Sequence, residues 1–151
     1  MVAIVIAGAG GPHECADPLA AFGWSVFTAD ASIESVLQVR RAAHSTDPRV
    51  VAVCSGAAAP LGAALAVEGT LDAVISVGPA GELAGELLDE LRSPWLILGR
   101  EDDVEVLEPL ALALEKAGSP SSVVRYRAET VTLAEPDARA RAVTWIEHWA
   151  S

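Results

Sequence analysis

The stretch Val50-Val51-Ala52-Val53-Cys54-Ser55-Gly56-Ala57-Ala58-Ala59-Pro60-Leu61-Gly62 decides how this chain folds. Its first residues are apolar without alternation, as in a strand buried on both faces. Cysteine, serine and glycine then make a tight small-residue turn, and the alanines and leucines beyond it read as a helix over residues 58–68. Strand, short turn and helix in that order is the unit of a parallel α/β sheet.

The same alternation extends in both directions. Residues 2–7 form a continuous apolar run that ends in Gly8-Ala9-Gly10-Gly11. Asp17-Pro18 suits the N-cap and first position of a short helix ending at Gly23. A second strand is expected over 24–28 and a helix over 33–44, with the third strand over 49–53. Strand four is expected over 71–77, a helix over 82–91 and strand five over 95–98. A helix over 106–117 ends at Gly118, a residue suited to a left-handed C-cap. Strand six is expected over 122–126. The last helix, 136–150, is expected to bury Val143 and Ile146, with Trp149 a further candidate for burial. The expectation is a single domain over residues 1–151. Its fold class is α/β, a three-layer sandwich around a six-stranded, mainly parallel sheet of order 2-1-3-4-5-6.

Composition narrows the function. The 151 residues carry a formal net charge of −11 and are 52% hydrophobic. Nucleic acid and anionic membrane both require a basic footprint, so neither is an expected partner. No apolar run approaches the ~20 residues of a membrane span, and the chain opens on a strand pattern without a basic leader; a cytoplasmic protein is expected. Cys15 and Cys54, the two cysteines, have no zinc-motif spacing. No metal and no cofactor are expected, and monomer and homodimer both remain open.

The order of elements resembles the α/β-hydrolase superfamily, in particular its dienelactone hydrolase-like members. Residues 2–11 resemble the first core parallel strand and its glycine loop. Phe22-Gly23-Trp24-Ser25-Val26 resembles the strand that follows, and residues 49–62 the nucleophile strand and elbow. Ser93-Pro94-Trp95-Leu96-Ile97-Leu98-Gly99-Arg100-Glu101-Asp102 resembles the segment carrying the acid, and Val124-Arg125-Tyr126 the strand before the histidine loop. The resemblance implies a nucleophile at the elbow, normally within G-x-S-x-G or G-x-C-x-G-G. Aligning Leu71-Asp72-Ala73-Val74 with the family's next strand places Gly56 at that position. A shift of two residues places Cys54 there instead. The family's histidine would fall near Thr130 or Val131, yet no histidine lies between residues 45 and 147.

Each motif has a plainer meaning beside the functional one. Gly8-x-Gly10 follows a strand, but His13 stands where a dinucleotide fingerprint needs glycine. The plainer reading is a loop needing backbone freedom. In the hydrolase reading that loop supplies an oxyanion-hole amide. Cys54 at a strand end beside a helix N-terminus could be a reactive thiolate, or a small apolar residue packed beneath the turn. His13 could join Cys54 and Asp102 in a remodelled Cys-His-Asp set, or be an exposed loop residue. Asp102 without a histidine caps the next helix or lies in water. His148 between Trp145 and Trp149 is either packing or a partner surface.

The reading that results is a shortened hydrolase-like protein that has lost hydrolysis and binds a small molecule or a partner. The alternative is an active small esterase, thioesterase or dienelactone-type hydrolase with Cys54 as nucleophile. A ligand is expected against Gly8, Gly10, Gly11, His13, Gly56, Ala57 and Arg100, at the C-terminal strand ends where crossovers leave a crevice. A carboxylate, ester or phosphate suits backbone N–H groups at a helix N-terminus, with Arg100 as the anion partner.

Overall fold

The structure, a computed structural model, describes residues 2–8, 24–29, 34, 38–39, 41–42, 49–55, 71–78, 93–118, 120–127, 131–133 and 135–150. Its elements in chain order are strands β1 (Val2–Gly8), β2 (Ser25–Ala29), β3 (Arg49–Ser55), β4 (Ala73–Val77) and β5 (Trp95–Arg100), helix α1 (Val104–Ala117), strand β6 (Ser121–Tyr126) and helix α2 (Pro136–Ala150). Glu34, Gln38, Val39, Arg41 and Ala42 are also helical, inside the span where a helix was expected. The helices expected after Asp17 and over 58–68 and 82–91 lie outside the described residues.

The described strands form one sheet in the order β2-β1-β3-β4-β5-β6. Every neighbouring pair is parallel. In-register rows run across it: Ala7 pairs with Cys54, Cys54 with Ser76, and Ser76 with Ile97. Side chains on successive strand residues point to opposite faces, and both faces of the central strands are buried. On one face Val51, Val53, Ile75, Val77, Leu96 and Leu98 form a core with Ala138, Ala142, Val143, Ile146 and Ala150 of α2. On the other lie Val50, Ala52, Cys54, Val74, Ser76, Trp95 and Ile97, each at most 1% exposed. There α1 covers the sheet. Leu107 comes so close to Gly99 that a β-carbon on the glycine would lie 2.6 Å from one leucine methyl carbon. Helices on both faces of a parallel sheet are what near-continuous apolar strands require.

The termini of the elements differ from their sequence expectations for local reasons. β3 runs on to Ser55, not Val53, because Cys54 and Ser55 pair with both neighbours. β4 starts at Ala73, not Leu71. Asp72 is held in the turn instead: its carboxylate accepts the Val50 N–H at 2.9 Å, and its own N–H donates to the Val50 carbonyl at 2.9 Å. The Ser93 hydroxyl donates to the Leu71 carbonyl at 2.9 Å and ties the same turn to the start of β5. β2 is shifted one residue along, to 25–29, and β5 continues through Gly99 and Arg100. α1 begins at Val104, not Val106, with Asp103 as N-cap, and ends at Gly118, whose φ of 71° is left-handed.

Candidate functional site

The parallel strands all end on one edge of the sheet, where crossovers diverge and ligands of such folds bind. On that edge Gly8 closes β1 and pairs with Ser55, which closes β3 and pairs with Val77. Cys54 lies one residue inside the end of β3. It is 1% exposed, on the α1 face of the sheet, in register with Ser76. A buried thiol within a strand is poorly placed to attack a bound ester. Gly56 and Ala57, the residues expected at the turn, lie outside the described residues, as do Gly10, Gly11 and His13.

The end of β4 is marked by Gly78, whose φ of +56° is left-handed and suits a residue without a β-carbon. Its N–H donates to the Leu98 carbonyl at 2.7 Å. A β-carbon on Gly78 would lie 3.4 Å from the Val131 carbonyl oxygen. Val131 thus lies beside the end of β4, and Leu133 close to it in sequence is fully buried. This is the segment in which the family resemblance implies a histidine. Val131, half-buried, packs against the core here, and Thr130 lies outside the described residues.

Arg100 ends β5. Its Nη2 lies 3.7 Å from Asp102 Oδ2, and its side chain is 36% exposed while that of Asp102 is 83% exposed. The Arg100 Nε is shielded from solvent and has no hydrogen-bond acceptor among the described residues. That is one charged donor left over at the C-terminal end of β5. Asp102 is a surface carboxylate. Asp103 is the residue at the helix start, and its carbonyl accepts from Val106 at 3.1 Å and Leu107 at 2.9 Å. Beside them Glu101 and Arg127 pair at 2.9 Å. The structure therefore brings Gly8, Cys54 and Arg100 to the C-terminal half of the sheet. It places Asp102 in solvent.

His148 is elsewhere, exposed on α2, with its ring edge-on to Trp149 at 4.8 Å and 85°. Sequence reading passed over a second polar cluster. The Tyr126 hydroxyl donates to Asp137 Oδ2 at 2.6 Å, and Arg141 Nε donates to the same oxygen at 3.0 Å. Burial, reinforced by the bond to Asp137, pushes the Tyr126 phenol up to about 12. The bonds from Tyr126 and then Arg141 lower the Asp137 pKa. The i,i+4 spacing of Asp137 and Arg141 was a readable sign of a helix-face pair; nothing in sequence joined Tyr126 to them. Among the described residues, no group of three or more His, Cys, Asp or Glu could hold a metal ion, and no helix is long and apolar enough to cross a membrane.

No protein-family model and no curated protein matches the chain. A solved structure does: a candidate hydrolase of the α/β superfamily from Xanthomonas campestris pv. campestris. The TM-score is 0.64 and the identity 14%, over 97% of this chain and 96% of that one. The likeness is one of fold. This chain has an α/β fold like that of a hydrolase-superfamily protein over nearly its whole length.

Proposed function

We propose that this protein is a dienelactone hydrolase-like member of the α/β-hydrolase superfamily that no longer hydrolyses. In this reading it is a cytoplasmic pseudoenzyme that holds a small carboxylate, ester or phosphate at the C-terminal edge of its sheet. The observation that carries the reading is the contrast between Cys54 and Arg100. The thiol is sealed inside β3, at 1% exposure, while a guanidinium with an unsatisfied Nε stands at the end of β5. A guanidinium offers paired donors to a carboxylate or phosphate. The absence of histidine from residues 45–147 removes the family's general base and leaves an anion-binding edge.

Chemical-shift mapping with acetate, benzoate and inorganic phosphate tests this. Shifts should gather at Gly8, Ser55, Gly78 and Arg100, and weaken in Arg100→Gln. Shifts confined to the opposite edge, or unchanged by Arg100→Gln, would refute the site. Ester turnover that disappears in Cys54→Ala would restore the active-thiol reading.

A further inference from the structure

A groove lies outside the strand-end site. The sheet ends at β6, so α2 only partly covers its own face of β5 and β6. Between them is an open groove of about 510 Å³, a volume in the range of small-molecule sites. Ser122 of β6 and Arg141, Thr144, Trp145, His148 and Trp149 of α2 line it. Trp145 and Trp149 are four residues apart, so they share a helix face. Their rings sit 5.8 Å apart at 54°.

The polar inventory of the groove points to a ligand that accepts hydrogen bonds. Both indole N–H groups are shielded from water and have no acceptor among the described residues, an uncommon state for a folded protein. Arg141 has only donors, and the two hydroxyls can donate. The lining carboxylate, Asp137, already receives Tyr126 and Arg141. That ion pair also leaves no net charge at this end of the groove.

We propose that this groove binds a flat, uncharged aromatic carbonyl compound. Its ring packs on Trp145 and Trp149, and its carbonyl oxygen accepts from an indole N–H that turns toward it on binding. The groove is separate from the strand-end site proposed above, and among the described residues the two share none.

Coumarin is the probe, and the indole N–H resonances of ¹⁵N-labelled protein are the readout. Coumarin should move the Trp145 or Trp149 indole proton downfield in a saturable way. The Trp95 indole should stay fixed, because it already donates to Ser76 Oγ at 2.8 Å. Chroman, the related bicycle without a carbonyl, should produce no such downfield shift. Thr144 is exposed, so Thr144→Tyr should fold, fill the groove and abolish the coumarin response. No response at about 1 mM coumarin, a weak-ligand threshold, would overturn the proposal. So would an equal response to chroman, a response that survives Thr144→Tyr, or a stronger response to 2-naphthoate.

Discussion

Gly99 has no side chain where Leu107 of α1 meets β5. A β-carbon there would lie 2.6 and 2.8 Å from the two leucine methyl carbons. Leu107 is 1% exposed, so it has no free space toward solvent. Gly99→Ala should lower stability by about 1–3 kcal/mol through overpacking. Urea unfolding of Gly99→Ala, Leu107→Ala and the double variant checks the cause. The leucine truncation should cost much less once the alanine is present, whereas strict additivity would mean that the strain lies elsewhere. On the same face Trp95 is fully buried, and its N–H depends on the Ser76 hydroxyl. Ser76→Ala strands that donor. It should cost about 1–3 kcal/mol and speed exchange of the Trp95 indole proton; an unchanged unfolding midpoint would show that water replaces the hydroxyl. Neither residue announced its role in sequence. Gly99 stood one residue past the expected strand five, in the segment that resembles the family's acid segment, and Ser76 was a polar residue in an apolar run whose partner lay 19 positions away.

β6 and α2 are fastened where Tyr126 ends one and Asp137 opens the other. The phenol is held near 12 against an ordinary 10.0, first by burial and then by its bond to Asp137. The fold therefore keeps the tyrosine proton to higher pH than the unfolded chain does. The stability this adds is complete below pH 10.0 and is lost as pH rises to about 12. The Asp137 carboxylate acts in the opposite direction: its contribution is present above its ordinary value of 3.8 and is lost as pH falls below it. The chain has one tyrosine, so tyrosinate absorbance reports this group alone. Its midpoint should lie near 12 while circular dichroism shows the fold intact. Asp137→Asn should lower it only part of the way, because burial remains. A native midpoint near 10 would refute the clamp. Elements of this kind were legible as elements. The final helix was read over 136–150 with Val143 and Ile146 on its buried face, and it runs over Pro136–Ala150. Strand ends were not. Cys54 and Ser55 look like turn residues, and only pairing with Gly8 and Val77 keeps Ser55 in the strand. Leu71 and Asp72 look like strand residues, but the Asp72 carboxylate is engaged by Val50.

For the molecule as a whole, alternation of apolar strands with helical segments made the α/β class readable, because a parallel sheet covered on both faces leaves few other patterns. The proposed site was less readable because it draws on strand ends far apart in sequence. Arg100 and Cys54 could be named as candidates, but their exposure could not: one is a partly exposed guanidinium with an unsatisfied nitrogen, the other a thiol sealed in the sheet. Hydrolysis needs a nucleophile that substrate can reach and a base to activate it. Cys54 fails the first condition at 1% exposure. On the second, the segment that returns to Gly78 presents Val131, and His148 lies on α2 beside Trp149. In the proposed reading the general base is gone, which alone typically removes ~10²–10⁴ in rate. The protein should therefore hydrolyse p-nitrophenyl acetate and short thioesters no faster than its Cys54→Ala variant. In Cys15→Ala protein, Ellman's reagent should label Cys54 only after denaturant is added. The two measurements stand together. Rapid native labelling of Cys54 with turnover that Cys54→Ala abolishes would mean that β3 opens at its end to expose a working nucleophile, and the binding-only account of this fold would fall.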